Sequence, residues 1–526
     1  MSMSRTLDQL EQERFALQAA LDAQKTQQER NRLGQFATPP MLAEDILSYA
    51  KSLLPKGEPV RFIDPAIGTG AFYSALKKVF PHQQIEDAIG FEIDPHYGKP
   101  AAQLWGNTNL KLELADFTRQ KPQDRFNLLI CNPPYVRHHH LSNDEKASLQ
   151  RRTLKACGTK IGGLAGLYCH FLGLSHAWLN EGALSGWLIP SEFMDVNYGQ
   201  AVKRYLLERV TLLHIHRFDP SDVQFADALV SSAVVWFRNE PPTSVHSVKF
   251  TFGGTLENPT VIKMVSASAL AHEKKWTRFP VSGVRAKSFL PTIADFFKIK
   301  RGLATGHNGY FILSAEELAE RKLPKQCFRP ILPSPRYVAA DEIEADAKGN
   351  PVLDRRLYLL DPDYDEDQIK ERFPSLWTYL QEGRAQKLHE RYLCSHRARW
   401  YSQENRPAPP IVCTYLGRGD AKNGRPFRFI LNHSKATVAN VYLAMYPTPV
   451  LSRELSRDPA LIRRVWEILN RITPHQLLSE GRVYGGGLHK LEPKELANVP
   501  VPEIADLLPR EMRPTNQTEM LLEAAE

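Results

Sequence analysis

The segment Asn127-Leu128-Leu129-Ile130-Cys131-Asn132-Pro133-Pro134-Tyr135 closes an uncharged apolar run with an amide, two prolines and a phenol ring. The run reads as a buried strand. Neither proline can donate to a sheet ladder, so the strand stops there. A following proline also pushes Asn132 and Pro133 out of the α region. The product is a stiff platform at the carboxyl end of a strand. It presents the Asn132 side-chain oxygen, the Pro133 carbonyl and the Tyr135 ring. Two acceptors beside a ring suit the capture of a planar group that carries an amine.

Three earlier strand ends carry polar groups as well. Val60-Arg61-Phe62-Ile63 leads into Asp64-Pro65-Ala66-Ile67-Gly68-Thr69-Gly70 and then a helical pattern through Leu76 and Val79. Strand, glycine turn and helix in that order let a backbone approach a nucleotide-like ligand at the sheet's carboxyl edge. The turn lacks the third glycine of a dinucleotide fingerprint and the Gly-Lys-Ser/Thr of a P-loop. A cofactor with a nucleoside but no pyrophosphate fits better. Ala88-Ile89-Gly90-Phe91-Glu92-Ile93-Asp94 follows, and Glu92 lies about twenty residues past the turn, where an acid takes ribose hydroxyls in doubly wound folds. A third strand ends at Ala115-Asp116-Phe117. The expected class is α/β, a doubly wound sheet.

In order, Phe36-Ala37-Thr38-Pro39-Pro40, the Asp64 to Phe72 segment, Gly90-Phe91-Glu92-Ile93-Asp94, Ala115-Asp116-Phe117 and Asn132-Pro133-Pro134-Tyr135 resemble the gamma class of DNA adenine-N6 methyltransferases. These are the TaqI-type modification enzymes of restriction–modification systems. The resemblance spans roughly residues 33 to 240. It implies a Rossmann-like domain and S-adenosylmethionine as cofactor. By that resemblance Glu92 would hold the ribose hydroxyls, Asp116 the adenine amine and Phe117 the adenine ring. Thr38, Asp64, Ala66, Gly68 and Gly70 would line the methionine part. Asn132 and Pro133 would take the amine hydrogens of a flipped adenine, with Tyr135 on one face of the base. Phe225, in the loop before strand Ser232-Ala233-Val234-Val235-Trp236-Phe237, would pack on the other.

These strand ends need elements to hold them. Residues 1–32 read as a helical arm, with Leu7, Leu10, Leu17 and Leu21 forming one apolar stripe. Thr38 before Pro39 reads as a helix cap. Residues 33–240 form the methyltransferase domain, and Glu240-Pro241-Pro242-Thr243-Ser244 reads as a linker. Residues 246–526 are expected to be a mixed α+β target-recognition domain.

That C-terminal part holds two glycine-bent basic loops. One carries Arg301, Thr305, His307 and Asn308, and the other Lys490. Between them Arg391, Arg397, Arg399, Arg406, Arg418, Lys422, Arg425 and Arg428 meet only Glu404 and Asp420, with Trp400, Tyr401, Tyr415 and Phe427 interleaved. This composition faces a polyanion. Arg301, Thr305, His307, Asn308, Arg397, Arg399, Arg418, Arg425 and Lys490 are the candidate DNA contacts.

The net charge of +8 agrees in sign with a polyanionic partner. Six scattered cysteines without a C-x-x-C pair suggest neither zinc nor disulfides, and no metal is expected. His138-His139-His140 reads as a solvated basic loop. No stretch approaches the ~20 apolar residues of a membrane helix, and no signal peptide is read, so a cytoplasmic protein is expected. The expected partners are double-stranded DNA and, functionally, a cognate restriction endonuclease, with the chain acting as a monomer. The same platform serves N4-cytosine, RNA and protein-glutamine methylation, so these remain alternatives. A DNA-binding module with an inactive methyltransferase-like domain is the non-enzymatic one.

Overall fold

The computed structural model describes residues 6–219, 231–243, 245–279, 290–418, 425–484 and 488–509. The chain divides into two units, Met1–Ala286 with Tyr484–Gly486, and Lys287–Val483 with Gly487–Glu526. No helix among the described residues is long and apolar enough to cross a membrane.

The first unit is built on one nine-stranded sheet. Its strands are β1 (Val60–Asp64), β2 (Ile85–Glu92), β3 (Leu110–Leu114), β4 (Phe126–Cys131), β5 (Leu179–Pro190), β6 (Thr211–Arg217), β7 (Ser232–Arg238), β8 (Ser247–Gly254) and β9 (Pro259–Ser266). The order is β3-β2-β1-β4-β5-β7-β6-β8-β9. Strands β1 to β5 run parallel, and β7 inserts antiparallel between β5 and β6. Strand order reverses between β1 and β4, the switch point at which doubly wound sheets open a crevice at their carboxyl ends. Asp64 and Glu92 close β1 and β2, Asp116 lies just past β3, and Asn132 follows β4. All four chemical strand ends therefore share that edge. The central strands are buried on both faces, with Phe62, Ile63, Leu128, Leu129 and Ile130 fully covered. This is why they read as unbroken apolar runs.

Two boundaries differ from expectation. The arm is two helices, α1 (Leu7–Ala23) and α2 (Gln27–Leu33), because Thr26 and Glu29 form a capping box that restarts the helix. The first unit also does not end at the Pro241-Pro242 segment. Strand β8 pairs with β6, and β9 pairs with β8, so the sheet continues past residue 246. The prolines interrupt one connection and leave the sheet intact.

The second unit contains a five-stranded sheet with Phe297–Arg301, Tyr442–Pro447, Ile411–Thr414, Phe429–Asn432 and Glu342–Ile343 as successive neighbours. A four-stranded sheet joins Ile312–Ser314, Leu357–Leu360, Phe328–Leu332 and Thr437–Val438. Helices pack on both, giving the mixed α+β character read from the sequence. The six cysteines are free and buried.

Candidate active site

The chain enters the first sheet through α3 (Pro40–Leu53). Thr38 does not cap this helix. The cap position is Pro39, and no side chain caps it. The Thr38 hydroxyl instead accepts from Asn132 Nδ2 at 3.2 Å, and the Phe36 carbonyl accepts from the same nitrogen at 3.0 Å. A carbonyl can only accept, so the amide nitrogen must face Phe36, and Oδ1 is turned the other way. Among the described residues nothing donates to Asn132 Oδ1 or to the Pro133 carbonyl. Two adjacent acceptors are thus left open, as the Pro-Pro segment implies.

Tyr135 is held at three points. Its hydroxyl donates to the Leu188 carbonyl at 3.0 Å. Its N–H donates to the Gly34 carbonyl at 3.2 Å. Its ring, 9% exposed, lies 5.5 Å from Phe36 at 43°. Gly34 closes α2 in the left-handed region, at φ 65°. A Cβ built there would stand 2.3 Å from the Tyr135 nitrogen. Only glycine lets the chain pass this close to the platform.

The glycine turn separates its two glycines by role. Gly68 has φ +55°, and a Cβ built on it meets nothing within 4 Å. It opens a space that any side chain would fill. Gly70, at φ +91°, would drive a Cβ to 2.5 Å from Trp105 Nε1, and its N–H already donates to the Ile67 carbonyl at 2.8 Å. Gly70 therefore packs against Trp105 and shapes the turn at the head of α4 (Ala71–Val79).

The Glu92 carboxylate is aimed by two backbone donors. Gly68 N–H reaches Oε2 at 3.1 Å and Asp94 N–H reaches Oε1 at 2.7 Å. A carboxylate has about four acceptor positions, so it retains capacity for a diol. Burial raises its pKa. Asp64 accepts the Ala66 N–H at 3.1 Å. Burial pushes its carboxyl up to about 8, and the Glu92 charge adds to the rise. An open turn beside two acids whose charged forms burial disfavours fits a cationic nucleoside.

Two expected contributors stand differently. Asp116 accepts from the Thr118 N–H at 2.9 Å and hydroxyl at 2.7 Å, and pairs with Arg119 at 3.1 Å. Its oxygens already cap a short turn. Phe117 is 2% exposed and packs among Phe91, Phe171 and Trp178. That ring packs with the core beside the end of β3. Phe225 lies outside the described residues.

The comparisons with known proteins bear on this edge of the sheet. Residues 76–224 match the family model of the Eco57I restriction-modification methylase. Residues 274–524 match that of the Type II methyltransferase M.Eco57I, C-terminal domain. The chain is 28% identical over 487 residues to Type II methyltransferase M.XamI of Xanthomonas campestris pv. amaranthicola, covering 90% of this chain and 86% of that one. It is 26% identical over 487 residues to M.AccI of Acinetobacter calcoaceticus, covering 89% and 85%. The chain is a restriction–modification DNA methyltransferase. As such an enzyme it takes its methyl group from S-adenosylmethionine.

In this methyltransferase's second unit the candidate DNA contacts sort into braces and exposed groups. Thr305 is 1% exposed, and its hydroxyl donates to Asn308 Oδ1 at 2.6 Å and accepts the His307 N–H at 3.2 Å. It folds the loop and cannot read a base, which corrects its placement. Arg397 donates to the Ala304 carbonyl at 2.8 Å, and Arg391 to the Gly306 carbonyl at 3.1 Å, so both pin the same loop from outside. Arg399 pairs with Asp363 at 3.0 Å and Lys490 with Glu492 at 2.8 Å. Arg301 is exposed, lies 4.1 Å over the Tyr415 ring and donates to the Asn440 carbonyl at 3.1 Å. Asn308 and Arg425 are exposed, and His307 is half-buried. The Arg418 side chain lies outside what is described.

Proposed function

We propose that this enzyme methylates N6 of an adenine in duplex DNA, at one recognition sequence, with the base turned out of the helix. One observation carries the reading. The Asn132 amide is oriented from behind by Phe36 and Thr38, which leaves Oδ1 and the Pro133 carbonyl as paired acceptors. An exocyclic amine is a poor nucleophile because its lone pair is delocalised into the ring. Two acceptors that take its two hydrogens pull the nitrogen toward a tetrahedral shape and free that lone pair. Their dipoles also stabilise the positive charge that develops as the new N–C bond forms. The bound cofactor supplies a sulfonium-activated methyl group, and the methylated nitrogen then sheds a proton to solvent. Prior positioning contributes the rest, with no covalent enzyme intermediate. Turning out the base costs a few kcal/mol, and stacking on Tyr135 returns ~1–3 kcal/mol. Arg301, His307, Asn308 and Arg425 are the groups proposed to meet DNA. A cognate restriction endonuclease would be the functional partner whose cleavage this methylation blocks.

The test is methylation of a mixed-sequence plasmid followed by sequencing that reports modified bases. N6-methyladenine within one short motif is expected. N4-methylcytosine, or no modified DNA, would overturn the proposal.

The acids give a separate prediction. Asp64 holds its proton between the ordinary carboxylate value, ~4, and its folded value of about 8. Folding takes up a proton in that window, so stability is greatest below it and falls as pH rises through it. A cationic ligand reverses this by favouring the carboxylate. Titration calorimetry near pH 7, in buffers of different ionisation enthalpy, should show about one proton released on cofactor binding. Asp64→Asn should abolish that release.

A further inference from the structure

The N-terminal arm docks on the cofactor edge through polar groups. The residues of α1 buried against the unit are Glu11, Arg14 and Leu21. Arg14 is 1% exposed and forms a two-point pair with Glu11 at 2.8 and 2.6 Å. Its Nη1 donates to the Thr69 hydroxyl at 3.2 Å, and that hydroxyl donates to Gln18 Oε1 at 2.7 Å. Thr69, between the two glycines of the turn, is 2% exposed. Its one hydroxyl hydrogen is committed to Gln18, so it cannot donate to a ligand. A second tie lies beyond α1. Lys25 pairs with Asp94 at 2.5 Å, and Gln35 Nε2 donates to the same carboxylate at 2.9 Å.

The two ties end in related places. Glu92 is aimed by the N–H groups of Gly68 and Asp94. The arm holds Thr69, next to the first donor, and Asp94, which is the second. A buried Arg–Glu pair is a poor way to gain stability, because desolvation offsets most of its attraction. Leu10 and Leu21 pack on the unit, but a helix that served only to cover it would not also bury Glu11 and Arg14. We propose that the arm is a positioning element for the cofactor acid. Gln18 and Arg14, through Thr69, and Lys25 and Gln35, through Asp94, fix the backbone donors that aim Glu92 at the ribose diol. This rests on the reading of Glu92 as the ribose ligand.

The experiment uses the full chain without DNA and measures S-adenosylhomocysteine binding by calorimetry. Arg14 is too deeply buried for a clean variant, so Gln18→Ala and Lys25→Met are used, after checking that their melting temperatures match wild type. Each should weaken binding about threefold and the double variant about tenfold. Steady-state assays should show a raised KM for S-adenosylmethionine, with kcat at saturating cofactor and the KM for DNA unchanged. Thr69→Ser should keep wild-type affinity, whereas Thr69→Val should lose it. An analogue lacking the 2′-hydroxyl should bind the double variant and wild type with nearly the same affinity ratio of one. Wild-type affinity in a folded double variant, or lowered kcat with unchanged binding, overturns the proposal. Glu92→Ala separates the two readings. If it binds normally, the ribose reading falls and the arm proposal with it. If it loses binding while the arm variants do not, the arm proposal alone falls.

Discussion

Asn132→Ala is expected to lower the single-turnover methylation rate at least ~100-fold while duplex affinity stays within about twofold. The variant removes one of the two acceptors proposed to take the amine's hydrogens, so the loss is expected in the chemical step. Rapid-quench methyl transfer with labelled cofactor, set beside a DNA-binding titration, separates the two quantities. A full rate in Asn132→Ala would sink the mechanism. Thr38→Val grades the same claim. It leaves Phe36 as the only partner of Asn132 Nδ2. The amide then swings more freely, and a loss of about tenfold is expected, with unchanged affinity for DNA.

Gly34→Ala should be more damaging than its size suggests. The residue sits at φ 65°, which costs a side chain about 1–2 kcal/mol. Its Cβ would also stand 2.3 Å from the Tyr135 nitrogen, 2.7 Å from the Tyr135 carbonyl carbon and 2.8 Å from the Val136 nitrogen. These are backbone atoms that no rotamer change can clear. A destabilisation on the order of 3 kcal/mol is expected, visible in urea unfolding. Residual folded protein should methylate slowly, because the platform must shift to admit the methyl group. An unchanged unfolding midpoint together with an unchanged rate would show that the chain separates here without cost.

The strand ends were legible because their signals are local. An acid before a glycine turn, an acid closing an apolar run and an amide before two prolines each announce themselves within a few residues. What escaped depends on distance or on sides. Thr38 next to Pro39 reads as a cap, and nothing nearby reveals that its hydroxyl is engaged by Asn132. Gly68 and Gly70 look alike until Trp105 is seen to occupy one side of the turn. The leucine stripe on α1 marked only part of its packed face: Leu21 is buried and Leu10 packs on the core, but Leu7 is exposed while Glu11 and Arg14 are buried. The spacing of Glu11, Arg14, Gln18 and Leu21, three, four and three, was a readable helical face had polar residues been counted. In the second unit, composition pointed to a basic surface. It could not tell the arginines that brace carbonyls from those left to solvent, since both kinds contribute equally to net charge.

The aim proposed for the Asn132 amide also carries a kinetic consequence. Phe36 and Thr38 lie 96 and 94 positions before Asn132. Loop-closure entropy over such separations must be overcome before these bonds form. On the ribosome the aiming segment is made first and waits for β4, which must then insert at the centre of a sheet whose neighbours come from both earlier and later sequence. The two bonds that orient Asn132 therefore form only once β4 has joined the sheet. A chain in which β4 has not yet paired lacks the bonds to Phe36 and Thr38 that turn the Asn132 amide.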